Sequence, residues 1–211
     1  IEIDHAASDL VVKGVYGNLI VGTAASTTTF KSVESLEIQS VKGSLIVKDA
    51  EGDLSVEEVR GNATIREISG KITLDEVTGN INLRGYISNA DMESSGNINA
   101  IVNLDTDGTY NLVAGGNCTF RTDTEFNGKV ELTSGSGRIS VRTPNQSEHL
   151  QEEKHMIHGS GPGKINLEAG ANVNYSCRYT SDFDIEFEEN FVENATNLVE
   201  DITSQVTDQI D

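Results

Sequence analysis

The chain has 211 residues and a net charge of −19 at neutral pH, with 34 Asp and Glu residues against 15 Lys and Arg residues. This balance excludes nucleic acid as an expected partner, because its phosphates would be repelled, and favours a basic partner, divalent cations or a high-salt environment such as that of salt-loving organisms. No apolar stretch reaches membrane-spanning length, so membrane insertion is not expected of this segment. The length fits one domain or one elongated repeat array.

The first 29 residues lead into a repeat. The apolar pairs Leu10/Val12 and Leu19/Val21 alternate with polar residues, and this period of two predicts strands. The chain begins at Ile1 without an initiator Met, which indicates a mature or trimmed form.

Residues 34 to 89 contain a regular repeat of nine residues. Each unit reads Gly, any, apolar, any, apolar, any, any, apolar, any. The glycine positions are Gly43, Gly52, Gly61, Gly70 and Gly79. Glu34 takes the glycine position of a preceding unit.

This unit predicts a short strand followed by a corner. The third and fifth positions lie on one face of a strand, whereas the eighth can reach that face only if the chain bends. The glycine then permits positive φ or close contact between backbones. Because one unit cannot bury its apolar face alone, successive units must stack, so the repeat predicts a parallel β-solenoid. The spacing does not decide whether two or three units complete one coil.

The repeat loosens after Gly79 and continues with irregular spacing to about residue 143, and a polar segment then breaks the pattern. Residues 147 to 158 are expected to form an exposed loop. This loop holds His149, His155 and His158, which are candidates for a metal site, although the sequence shows no residue that would orient their imidazole rings by a hydrogen bond. The run from Gly159 to Gly163 lacks the features of a phosphate-binding loop and predicts a turn back into the array, because the strand pattern resumes at Lys164.

The C-terminal end differs from the array. Phe183, Ile185 and Phe187 alternate as a last strand, so we place the solenoid at residues 1–187. Residues 188–211 are then expected to form an acidic amphipathic helix that caps the solenoid or docks a partner or another copy. Its apolar face comprises Val192, Ala195, Val199, Ile202 and Val206.

Covalent modification adds two sets of candidates. Cys118 and Cys177 form a candidate disulfide, although two buried thiols are the favoured interpretation. Five Asn-x-Ser/Thr sequons give candidate glycosylation sites, which are Asn62, Asn117, Asn145, Asn174 and Asn194.

The units beginning at Gly52, Gly61, Gly70 and Gly79 resemble an adhesin-like family of β-strand-repeat proteins, which are often associated with the cell envelope. The segments Ser136–Val141 and His158–Leu167 resemble it in style. The resemblance covers about residues 43 to 167. It implies a right-handed parallel β-helix and a surface or stress-linked role, and it supplies no catalytic residues.

Three functions compete on the sequence alone. The first is a non-catalytic surface module, extracellular or in the cell envelope, that binds proteins or glycans through a long β-face. The second is a self-assembling, bactofilin-like scaffold, which would also suit the cytoplasm. The third is a polysaccharide-active enzyme using Glu57/Glu58 and Asp75/Glu76, but corner acids of this kind are more often solvated charges. We therefore expect no catalytic activity and no cofactor.

Overall fold

The computed structural model describes residues 1–123, 125–144 and 146–177. By contacts the chain divides into two units, Ile1–Arg178 and Tyr179–Asp211. The last strand predicted at residues 183–187, the helix predicted over 188–211 and the boundary between them lie outside the described residues. The described part is all β, and the predicted β-solenoid is confirmed, with about seven turns.

Eighteen strands make up this solenoid. The first nine are β1 (Glu2–Ala6), β2 (Leu10–Ala24), β3 (Thr28–Val41), β4 (Leu45–Ala50), β5 (Leu54–Val59), β6 (Ala63–Ile68), β7 (Lys71–Val77), β8 (Ile81–Ile87) and β9 (Asn89–Ser94). The others are β10 (Ile98–Leu104), β11 (Thr109–Ala114), β12 (Cys118–Thr122), β13 (Lys129–Ser134), β14 (Arg138–Thr143), β15 (Gln146–Leu150), β16 (Lys154–His158), β17 (Lys164–Ala169) and β18 (Asn172–Cys177).

Two nine-residue units complete one coil, which settles the question left open by the spacing. Leu36 pairs with Leu54, and Leu45 pairs with Ala63, so strands two units apart are hydrogen-bonded in parallel. Alternate units therefore build two different sheets. Sheet A contains, in spatial order, β1, β5, β7, β9, β11, β17, β13 and β16, and sheet B contains β4, β6, β8, β10, β12, β18, β14 and β15. The long strands β2 and β3 pass from sheet B into sheet A.

The inward side chains of both sheets form one apolar core cluster. The third, fifth and eighth positions are buried in the units that begin at Gly43, Gly52, Gly61 and Gly70, as in Leu54, Val56 and Val59. In the unit that begins at Gly79 the eighth position, Tyr86, is exposed and the next residue, Ile87, is buried instead. Larger side chains fill the later coils, where Tyr110 packs against Phe120 with ring centroids 6.1 Å apart. The stacked coils thus bury a face that no single coil could bury.

The repeat glycines are required by close packing of backbones. A Cβ atom added to Gly61 would lie 2.6 Å from the carbonyl oxygen of Gly43, and one added to Gly79 would lie 2.5 Å from that of Gly61. Positive φ occurs instead at the bend inside sheet B, where Asp49 has φ 59° and Glu67 has φ 51°. In the units of sheet B the seventh position, and not the glycine that begins the unit, therefore has positive φ.

The end of the solenoid departs from the order of the chain. The coil β17/β18, which we call the interposed coil (residues 164–177), lies between two coils made earlier: β17 pairs with β11 and β13, and β18 pairs with β12 and β14. The chain thus leaves one layer open after β12, builds β13 and β14 beyond it, and returns to fill the layer.

Residues 147–158 are largely not the loop that we expected. They contribute the strands β15 and β16, which pair antiparallel with β14 and β13 and form the last layer of each sheet. The polar composition that indicated a loop is explained by position, because an end layer has one side without a neighbouring coil and its side chains remain largely exposed.

Candidate functional site

One column of positions on the outer face of sheet B, which we call the basic column, carries seven of the chain's 15 Lys and Arg residues. They follow one another in register across the strands as Lys13, Lys31, Lys48, Arg66, Arg84, Arg121 and Arg142. Ile101 lies between Arg84 and Arg121, and Ser176 lies between Arg121 and Arg142. A strongly acidic protein therefore places nearly half of its Lys and Arg residues in one column on one surface.

Like charges on neighbouring strands repel one another and destabilise a sheet, so acidic groups are needed near the basic column to offset this repulsion. Burial, and secondly the charge of Arg66, lower the pKa of Arg84. In the middle of the column Asp49 and Glu67 directly follow Lys48 and Arg66 in the chain. The carboxylate of Glu67 occupies the space that a Cβ atom on Gly85 would need, and Gly85 directly follows Arg84 in the chain. Acidic groups thus partly balance the middle of the column.

The end of the column near the last layer opens into a cleft of about 650 Å³. The lining combines arginine, hydroxyl and amide groups and contains no carboxylate among the described residues. It consists of Thr119, Arg121, Arg138, Ser140, Arg142, His149, Leu150, Gln151, Asn174, Tyr175 and Ser176. We call it the arginine cleft.

The interposed coil provides the floor of the arginine cleft. Ser176 lies in register between Arg121 and Arg142. Because neighbouring strands are about 4.8 Å apart, the two arginine backbones are about 9.6 Å apart. The short Ser176 side chain leaves the space between the two guanidinium groups open.

The three cleft arginines are available to a ligand. Within the described residues, ion pairs such as those of Arg60 with Glu58 and of Lys129 and Lys154 with Glu131 lie elsewhere, and no carboxylate pairs with Arg121, Arg138 or Arg142. Arg121, Arg138 and Arg142 are exposed. Guanidinium groups present paired N–H donors that fit carboxylates and sulfates bidentately. The cleft can therefore bind anionic groups without displacing an internal partner.

Neutral hydrogen-bonding groups surround these arginines. Thr119, Asn174 and Ser140 form the neighbouring outward column in register. Ser140 Oγ lies 3.0 Å from His149 Nδ1 in the last layer. Hydroxyl groups can donate and accept hydrogen bonds, and amides carry both functions, so the surface can satisfy ligand hydroxyls of either polarity.

A ladder of asparagines forms the third polar column of sheet B. Asn80 and Asn97 each donate a backbone N–H to the previous Asn Oδ1 at 2.9 Å, and Asn117 does so at 2.8 Å. Asn172 continues the ladder with an Nδ2 to Oδ1 distance of 2.8 Å to Asn117. Arg138 pairs in register with Asn172 and ends this column at the arginine cleft.

From β3 to β9 the outer face of sheet A is mainly acidic. Its outward positions include Glu37, Glu57, Asp75, Asp91 and Glu93. The acids that we considered for glycan cleavage belong to this open surface, where Glu58 pairs in register with Glu76. A hydrogen bond from Arg60, followed by one from Ser40, lowers the pKa of Glu58.

The structure does not bring the three candidate histidines together. His149 lies on β15 at the end of sheet B, whereas His155 and His158 lie on β16 at the end of sheet A. His155 Nδ1 is 3.9 Å from Glu152 Oε2. In the part of the chain that the structure describes, no group of three or more His, Cys, Asp or Glu side chains could hold a metal ion.

The two cysteines are free thiols and do not form the candidate disulfide. Cys118 pairs in register with Val173, and Cys177 pairs with Thr122, so the cysteines are at opposite ends of neighbouring strands. Burial raises the pKa of Cys118 to about 12 and that of Cys177 in the same direction. Both thiols therefore pack as small apolar side chains.

The sequon asparagines fall into two groups. Asn62, Asn117 and Asn174 lie exposed on the outer side of sheet B, where the first two belong to the asparagine ladder. The sequons at Asn145 and Asn194 lie outside the described residues, as do the predicted helix positions Val192, Ala195, Val199, Ile202 and Val206.

Neither the basic column nor the arginine cleft is predicted from the sequence. The signal is present at the sixth position of the units, which alternates between Lys48, Glu57, Arg66, Asp75 and Arg84. This alternation can be interpreted only when two units are known to make one coil. Alternate units then lie in different sheets, so the cations are on sheet B and the anions are on sheet A.

Comparison with known proteins returned no match to a family model, a curated protein or a solved structure. Among the described residues no helix is long and apolar enough to cross a membrane.

Proposed function

We propose that this protein is a non-catalytic binding module that recognises an anionic glycan through sheet B. The observation that carries the proposal is the arginine cleft, where Arg121, Arg138 and Arg142 have no carboxylate partner within the described residues. Three exposed cations in one cleft repel one another, so a ligand that neutralises them provides a physical reason for the arrangement.

The groups around the arginines favour a glycan over a simple anion. Thr119, Ser140, Asn174 and Ser176 present hydroxyls and an amide along the cleft. Sugar hydroxyls need such partners, since each can donate one hydrogen bond and accept others. The arginines supply bidentate partners for uronate carboxylates or sulfates. A glycan that carries acidic groups uses both kinds of contact.

Nucleic acid fits this surface less well. Single-stranded nucleic acid is held by exposed aromatic side chains on which bases stack. The aromatic residue of the cleft, Tyr175, is only 3% exposed. The net charge of −19 also repels a polyphosphate before it reaches the cleft.

We propose an extracellular or envelope location for this module. The five sequons and the resemblance to envelope-associated β-strand-repeat proteins support this location. Fractionation of the source cells tests it, and protein recovered only from the cytosol would contradict it.

The test of function is isothermal titration calorimetry with hyaluronan, polygalacturonate and neutral dextran of matched length, and with a thymidine oligonucleotide. We expect binding to at least one acidic glycan and none to dextran. Losing one charge-assisted contact costs about 1.5–3 kcal/mol, or roughly ten- to a hundredfold in affinity. Arg142→Gln should therefore weaken binding by that factor.

The matched control is Asp75→Asn on sheet A, which should leave the affinity unchanged. Tighter binding of the oligonucleotide than of either glycan would contradict the proposal. Failure of both acidic glycans to bind would also contradict it.

A further inference from the structure

The charge pattern of the basic column changes along its length. From Lys13 to Arg84 a cation stands in every layer, but beyond Arg84 a cation stands only in every second layer. The order there is Arg84, Ile101, Arg121, Ser176 and Arg142. The end that carries the arginine cleft therefore has twice the charge spacing of the rest.

We infer, on the basis of the proposed function, that the ligand is a linear glycan with one anionic group on every second sugar, lying along the solenoid axis. The arginine layers are about 9.6 Å apart, which is twice the strand spacing of about 4.8 Å. An extended pyranose chain advances by roughly one strand spacing per sugar. A charge on alternate sugars therefore meets an arginine at each repeat.

The uncharged layers are built to accept the neutral sugar. Ser176 is short and half-buried, so it leaves space between Arg121 and Arg142 and offers a hydroxyl from the floor. Ile101 is also half-buried and presents an apolar surface that a sugar ring can cover with its C–H groups. Neither layer supplies a partner for a second carboxylate.

The neighbouring column has no such alternation. Thr119, Asn174 and Ser140 follow one another in successive layers beside the arginines. Each layer thus offers a hydroxyl or amide, as every sugar of the chain carries hydroxyl groups, whether charged or neutral. The charged column distinguishes alternate sugars and the polar column contacts all of them.

The other part of the basic column does not offer this pattern. There the cations Lys48 and Arg66 stand in successive layers and are followed by the acidic residues Asp49 and Glu67. A glycan with a carboxylate on every sugar would match that spacing but would also meet these acids. We therefore assign binding to the segment beyond Arg84, which contains Arg121, Ser176 and Arg142 and ends in the arginine cleft.

The experiment compares hyaluronan, which has a carboxylate on every second sugar, with polygalacturonate, which has one on every sugar, as decasaccharides in calorimetry. We expect hyaluronan to bind at least tenfold more tightly. The variant Ser176→Arg places a cation in the uncharged layer, so it should shift the preference towards polygalacturonate. Ser55→Arg on sheet A is the control and should leave the preference unchanged.

The outcomes separate the two proposals. Equal affinities, or tighter binding of polygalacturonate by the unmodified protein, would overturn the spacing inference and leave the glycan-binding function standing. An unchanged preference in Ser176→Arg would overturn it as well. Absence of binding to both glycans would overturn the proposed function itself.

Discussion

Arg121 and Arg142 share one outward column of sheet B, although the strands that carry them are hydrogen-bonded not to each other but to β18 between them. The spacing of the two guanidinium groups thus depends on a coil that comes later in the chain than either arginine. Ligand binding and the order of the last coils are consequently linked.

Ligand binding should weaken as salt is added. Binding of a polyanion by cations releases counterions, so the logarithm of the association constant falls linearly with the logarithm of salt concentration. Removing Arg142 in the Arg142→Gln variant should reduce that slope by about one contact. Calorimetry at several NaCl concentrations measures both slopes, and identical slopes would show that Arg142 does not contact the ligand.

Disrupting the interposed coil should unfold one end of the solenoid and spare the other. Leu167 is fully buried in β17. A charge placed there in Leu167→Asp costs several kcal/mol, and in a repeat protein such a loss spreads mainly to neighbouring layers. Hydrogen exchange should therefore rise in β11 to β18 and stay slow in β3 to β7.

Glu168→Gln is the control for this experiment, because Glu168 is exposed on the same strand. Its exchange pattern should match that of the unmodified protein. If Leu167→Asp lost protection from hydrogen exchange equally in all strands, the prediction that distant layers unfold separately would be wrong.

A methyl group at a repeat glycine should destabilise the fold. In Gly61→Ala the new Cβ would lie 2.6 Å from the Gly43 carbonyl oxygen, so the coils would have to move apart. Overpacking of this kind costs about 1–3 kcal/mol. Urea unfolding measures the change, and the exposed substitution Ser55→Ala should stay within about 0.5 kcal/mol. Equal stability of the two variants would refute the packing argument.

Stability should fall at alkaline pH. Burial raises the pKa of Cys118 from 9.0 to about 12 and also raises the pKa of Tyr110 and Tyr175. Above its ordinary pKa the unfolded chain binds fewer protons than the folded chain, so the free energy of unfolding falls as pH rises. For Cys118 the contribution is intact below about pH 9 and is lost between about pH 9 and 12.

Urea unfolding at pH 7, 9, 10 and 11 tests this dependence. One such group contributes a slope of up to about 1.36 kcal/mol per pH unit, and Cys118→Val should remove that part of the slope. Val130→Ala, which changes a buried side chain without a titrating group, should lower stability equally at every pH. An unaltered slope in Cys118→Val would contradict the prediction.

The nine-residue period was sufficient to predict the solenoid, because each apolar position recurs on the inside of a coil. Leu54, Val56 and Val59 are buried as the pattern requires. The sequence does not decide between two roles for the glycines, since a tight turn and a close contact between backbones both favour glycine. The distance at Gly61 decides for backbone contact.

The end of the array could not be predicted in the same way. The segment from Lys164 has the strand pattern of its predecessors, and a pattern of this kind does not say which neighbour a strand pairs with. Only the register of β17 between β11 and β13 shows the interposed layer. The arginine cleft depends on that register, so the sequence alone does not distinguish its arginines from other surface charges.

The interposed coil also has a consequence for synthesis. A polypeptide leaves the ribosome from its N-terminus, so Arg121 and Arg142 are available before Ser176 has been made. Until residues 164–177 emerge, no strand lies between β12 and β14, and Ser176 is not yet present between the two arginines. Ligand binding in the arginine cleft consequently requires a chain synthesised through residue 177. A shorter nascent chain could contain all three cleft arginines but would lack the interposed coil that sets their spacing.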